Sequence, residues 1–208
     1  MNQRVSLDAY GKMRPTNVTK RINMNRSVID RLISSTGLLM ALVLLATSGG
    51  LFYAHSFIHN QVHDQLADQK ITFPVAGSAA LTALPAADQS QVAKYAGQQL
   101  LTGAQAEVFA DHYIAVHLQK VGGGKTYAQL SAASIANPSD QALAGQVQVV
   151  FRGETLRGLL LNAYAFDTMA TVALYAAWGA FAAAIALLVL AMLGFQHASQ
   201  VKTSKKRK

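Results

Sequence analysis

The chain contains no cysteine. That excludes a disulfide framework, a thiolate metal site and a cysteine nucleophile. Charge is scarce as well: only 13% of the 208 residues are Asp, Glu, Lys or Arg, against about 25% in ordinary soluble domains. Two stretches, 32–54 and 168–195, carry no charged side chain. β-Branched residues are sparse between 56 and 166, and no alternation of period two is sustained there, so a sheet has little to build on. No serine sits in a nucleophile-elbow pattern and no carboxylate pair stands out, so catalysis finds no support. Disorder is excluded for most of the chain by its 51% apolar content.

What is abundant is positive charge, with 18 Lys+Arg against 10 Asp+Glu. Taken as a total, +8 points to a nucleic-acid binder. Its distribution points elsewhere. Arg4, Lys12, Arg14, Lys20, Arg21, Arg26 and Arg31 precede the first uncharged run; Lys202, Lys205, Lys206, Arg207 and Lys208 follow the second. Basic clusters flanking apolar runs are a membrane-protein pattern, and no nucleic-acid partner is expected.

The run 32–54 has 23 residues, about 35 Å of helix against a hydrocarbon core of about 30 Å. The run 168–195 has 28. Both read as transmembrane helices. A signal peptide is the competing reading of the first, with Ala46-Thr47-Ser48 imitating a cleavage site. Its long basic lead and long apolar run favour an uncleaved anchor. The basic flanks place both termini in the cytoplasm and residues 55–167 outside. Phe52, Tyr53, Tyr164 and Phe166 mark the outer interface. The expected fold is an all-α membrane protein: a basic cytoplasmic segment 1–31, span 32–54, an extracytoplasmic helical domain 55–167, span 168–195 and a basic cytoplasmic tail 196–208. Pro15 and polar composition suggest a loose N-terminus, with Ser27–Arg31 leading helically into the first span.

Within 56–166, 21 alanines and 13 glutamines favour helices. The first span is expected to continue as helix to about Lys70, followed by an irregular segment holding Pro74, Gly77 and Pro85. Asp88 is expected to cap a helix of about fifteen residues ending near Leu101. Thr102 caps another to about Val121, stopped by Gly122-Gly123-Gly124. Thr126 with Gln129 forms a capping box for a short helix to about Ala136. After Asn137-Pro138 a helix runs from Ser139 toward Gly153, and a further segment leads into the second span.

The sharpest chemical feature is His55, His59 and His63. Spacing of four places all three within about 80° of one helix face. Adjacent imidazoles could share Zn²⁺ or Cu²⁺. His55 and His63 are about 12 Å apart along the axis, so one ion would need a further ligand such as Asp64, Asp111, His112 or His117. The competing reading is a polar interfacial face or hydrogen-bonded histidines beneath the outer helices. His112 and His117 are not spaced as a helical ligand pair and read as half-buried polar partners. The VGGGKTY segment lacks the upstream glycine of a phosphate loop, having Gln119-Lys120 there. Glu154 and Arg157 are spaced for an ion pair that could set the angle between the outer domain and the second span.

Small residues recur in both spans: Ser34, Ser35, Gly37, Ala41, Ser48, Gly49 and Gly50 in or near the first, Ala173, Ala176, Ala177, Gly179, Ala180, Ala183 and Ala184 in the second. They allow close helix approach, between the two spans and toward other membrane subunits or a second copy. No ionisable residue lies inside either span, which argues against a proton path or pore.

The stretches VHDQLADQKITFP, YAGQQLLTGAQAEVFADHYIAVHL, GKTYAQLS and FRGETLRGLLLNAYAF resemble a family of actinobacterial two-span membrane proteins of about this size, over roughly residues 55–185. Some members carry a label referring to an aromatic ring-opening dioxygenase, whose small subunits are soluble. The resemblance implies a source and a location, and no activity. Together these features lead to the expectation of a non-catalytic integral membrane protein, an accessory or structural subunit of a larger envelope or respiratory complex. The alternative is an extracytoplasmic metal- or small-ligand-binding sensor or chaperone using His55, His59 and His63.

Overall fold

The computed structural model describes residues 26–206. Most of the basic N-terminal segment, together with residues 207 and 208, lies outside the described residues. The described residues are about 83% helical. Helix α1 spans Arg26–Gln69, so Ser27–Arg31 do lead helically into the apolar run. No proline interrupts it, and Gly49-Gly50 cost about 1 kcal/mol each in a helix interior. The helix stops where Lys70 takes a left-handed conformation, φ +52.

Residues 71–73 are then extended and pair antiparallel with 98–100: Phe73 N–H donates to the Gln98 carbonyl at 2.9 Å, and Leu100 N–H to the Ile71 carbonyl at 2.9 Å. Between them lie a single helical turn α2, Ala79–Thr82, and helix α3, Ala86–Ala93. This differs from the expected helix to Leu101. Gly97 has φ +73 and turns the chain, and residues 98–100 spend their backbone groups on 71–73. Pro85 stands at the N-cap, with Asp88 in the first turn.

Thr102 and Gln105 form a capping box that opens α4, Gly103–Val108. The helix widens into a π-helical turn, Phe109–Ile114, and continues as α5, Ala115–Gly122, ended by Gly123 in the left-handed region. The second capping box, Thr126 with Gln129, opens α6, Tyr127–Ala136, as expected. Helix α7 runs unbroken from Gln141 to Lys206, its start capped by the Asp140 carboxylate accepting from Leu143 N–H at 2.9 Å. The expected joint near Gly153 is absent. That glycine instead makes room for Leu118 of α5, whose side chain a Cβ there would strike.

The chain divides into two compact units, one of residues 40–186 and one joining 26–39 with 187–206. In the first, Phe73, Leu100, Val92, Leu66, Phe109 and Leu160 form the centre of the core. Phe73 and Phe109 meet edge-on at 5.2 Å. The same unit contains a seam between α1 and α7. Ala41, Ser48 and Val62 are buried on α1, with half-buried His55 completing the spacing of seven; Ala170, Ala177 and Ala184 are buried on α7. Ser48 Oγ donates to the Ala177 carbonyl at 3.0 Å, and His55 Nδ1–H to the Ala170 carbonyl at 2.9 Å. Seven residues forward on α1 thus match seven back on α7, an antiparallel pairing in constant register. A strict seven-residue repeat is the period of a left-handed supercoil. In the other unit, Ser34, Ala191 and Ala198 are buried. There a Cβ at Gly37 would lie 3.8 Å from Ala191 Cβ.

The larger apolar side chains turn outward. In the most apolar window of α1 11% of the residues are buried, and in that of α7 17%. Leu32, Leu42, Val172 and Leu190 are each more than half exposed. Both helices are long and apolar enough to cross a membrane.

Candidate functional site

The three histidines lie on α1 where the uncharged run ends, and each commits its Nδ1 differently. His55 donates to the Ala170 carbonyl, as above. His59 donates to Asp167 Oδ1 on α7 at 2.9 Å, and its ring stacks on that of His55 with centroids 5.8 Å apart. His63 pairs only with its neighbour Asp64, at 3.2 Å. The stripe therefore divides: His55 and His59 bond across to α7, and His63 bonds to Asp64 within α1. Among the described residues, no group of three His, Cys, Asp or Glu side chains converges to hold a metal ion.

Asp167 does more than orient His59. Its Oδ2 accepts from the Gly103 N–H at 3.2 Å, at the first turn of α4. A carboxylate there meets unpaired amide hydrogens and the positive end of the helix dipole. One side chain thus joins α1, α7 and the start of α4. The approach is so close that a Cβ at position 103 would run into Asp167. Asp167 reads as a lone acid in sequence, and its role depends on residues 108 and 64 positions away. The dipeptide Thr102-Gly103 is the local signal, though it announces only a cap.

A second polar node surrounds the π turn. Arg157 on α7 sends Nη2 and Nε to Asp111 Oδ1, at 2.7 and 3.2 Å. Its expected partner Glu154 is farther, at 3.6 Å. Hydrogen bonding to Asp111 foremost, helped by the charges of Asp111 and Glu154, raises the Arg157 pKa above the ordinary arginine value against an opposing effect of burial. His112, adjacent to Asp111, donates through Nδ1 to Asp88 of α3 at 2.8 Å. Neighbouring residues of the π turn thereby reach different elements. His117 is exposed and donates to the Tyr113 carbonyl at 2.8 Å.

No protein-family model, curated protein or solved structure matches this chain. Both nodes tie helices together, and neither places a nucleophile beside a base. A groove of about 470 Å³ lies between α1 and α7, bordered by Phe57, Gln61, Gln65, Leu159, Asn162 and Phe166. No charged side chain is among the residues lining it.

Proposed function

We propose that this chain is a non-catalytic integral membrane protein of a bacterial plasma membrane. Both termini are cytoplasmic, the helical domain 55–167 is outside, and the protein serves as an accessory or structural subunit of a larger envelope or respiratory complex. The observation that carries this reading is the division of labour on the two long helices. Small residues fill the seam, so the large apolar side chains are left facing outward, where only lipid or another membrane subunit covers them without cost. The polar nodes at Asp167 and Arg157 supply rigidity where an enzyme would need a reactive pair.

Crosslinking in intact membranes, gentle detergent extraction, sizing and mass spectrometry test the proposal. The expected result is retention in the membrane under alkaline extraction and recovery with partner subunits or a second copy. Release by alkali removes the membrane reading, and a solitary monomer after crosslinking removes the subunit reading.

The second reading, an extracytoplasmic metal- or ligand-binding sensor or chaperone, draws on one observation. His55 and His59 each engage Nδ1 with an oxygen acceptor, leaving Nε2 on stacked rings. Metal-binding histidines are commonly oriented in this way. Elemental analysis after loading with Zn²⁺ or Cu²⁺, with His59→Ala as control, decides it; absence of stoichiometric metal sinks it.

A further inference from the structure

The groove between α1 and α7 combines two properties that together specify a ligand. Part of its lining is apolar, with Val62 and Leu66 from α1 and Leu160 and Ala163 from α7. The rest includes neutral amides: Gln61, Gln65 and Gln69, spaced by four along α1, and Asn162 from α7. The absence of charge along the lining disfavours an anionic or cationic headgroup, which would enter without a counter-charge. Amides both donate and accept, and so match ester carbonyls and hydroxyls. The volume of about 470 Å³ falls within the usual range for small-ligand sites, about 300–1,000 Å³.

The position of the groove indicates where its occupant comes from. Phe57 lies three residues beyond the first uncharged run and Phe166 two residues before the second. Both are more than half exposed, and both line the groove. The groove is therefore bordered by exposed aromatic side chains next to both uncharged runs. We infer that the groove takes an uncharged, ester-bearing lipid from the outer leaflet. Its head lies along Gln61, Gln65 and Gln69 while its acyl chains pass Phe57 and Phe166 into the bilayer. This assignment rests on the membrane reading given above.

The test uses the full chain reconstituted in vesicles of phosphatidylethanolamine and phosphatidylglycerol. In parallel samples a trace of diazirine-labelled diacylglycerol or diazirine-labelled phosphatidylglycerol is added. After photolysis, labelled peptides are mapped. Diacylglycerol should label 57–69 and 156–166, and phosphatidylglycerol only 32–54 and 168–195. The double variant Gln61→Leu with Gln65→Leu keeps the apolar wall and helix propensity. It should lower groove labelling by diacylglycerol about ten-fold, as expected for two lost hydrogen bonds of ordinary strength, while labelling of the spans is unchanged. Ala163→Trp should block groove labelling by filling the space. Equal groove labelling by both lipids, or no groove labelling by either, overturns the inference. Labelled spans with an unlabelled groove sink this assignment alone; unlabelled spans sink the membrane reading beneath it.

Discussion

Gly103 is the position at which three segments of the protein meet, and a single methyl group tests it. Gly103→Ala would place its Cβ against Asp167, whose carboxylate accepts from the Gly103 N–H and from His59. Helix propensity alone favours alanine by about 1 kcal/mol, yet overpacking costs about 1–3 kcal/mol. We expect a net loss, read as a lower thermal midpoint in detergent, with Asp167→Asn also destabilising. Arg157 gives a second residue-scale prediction. Its fork onto Asp111 cannot be reproduced by an ammonium group, so Arg157→Lys should cost about 1 kcal/mol, moderated by partial exposure of both partners. Glu154→Gln should be nearly silent, because that carboxylate sits at 3.6 Å and is exposed. A raised arginine pKa contributes stability at every pH below the ordinary arginine range and loses it only as pH climbs through the folded value. Thermal midpoints of wild type and Arg157→Lys measured across the neutral range should therefore keep a constant difference as far as the guanidinium is concerned. Neither the Asp167 contacts nor the Asp111–Arg157 pair was legible beforehand, since Asp111 and Arg157 are 46 residues apart. Sequence spacing offered only the weaker Glu154 pair.

At the scale of elements, the paired long helices make the sharpest prediction. The ideal Cβ at Gly37 lies 3.8 Å from Ala191 Cβ, and disulfides form at Cβ separations of about 3.5–4.5 Å. Because the chain has no native cysteine, Gly37→Cys with Ala191→Cys should yield one intramolecular disulfide on mild oxidation, visible as a mobility shift reversed by reductant. Leu38→Cys with Met192→Cys, both exposed positions, should not. Persistence of two free thiols in the first pair would refute the close approach of α1 and α7 in the unit that joins 26–39 with 187–206. Element boundaries were legible where the signal is local. Both capping boxes and the left-handed Gly123 lie where Thr102, Thr126 and the glycine triplet indicated. They were illegible where a partner decides, as when residues 98–100 leave helix to pair with 71–73. The seven-residue repeat of Ala170, Ala177, Ala184, Ala191 and Ala198 was present in the sequence. Small residues at many neighbouring positions obscured which of them face the partner helix.

For the whole molecule, topology is the property to measure, and the cysteine-free background again serves. Asn137→Cys should react with a membrane-impermeant maleimide in intact cells, while Ser6→Cys should react only after lysis. The reverse pattern, or labelling of both in intact cells, would contradict the proposed in–out–in arrangement. The histidine stripe belongs to this scale too. One face of a helix in sequence became two helix-tying contacts and one local pair, because α7 passes beside His55 and His59, while His63 bonds to Asp64 on its own helix.

Sequence alone determined what depends on neighbours along the chain. Uncharged runs set two apolar helices, capping residues set several helix starts, and glycine and proline set most breaks. Those properties follow from local backbone preference and from the cost of burying charge. Tertiary structure alone decided that α1 and α7 pair along a seven-residue seam and that Asp167 closes onto α4. It alone placed Arg157 on Asp111 and left an uncharged groove between α1 and α7. Each of these joins residues far apart in the chain. Their free energy comes from side-chain geometry in three dimensions, which residue spacing does not encode.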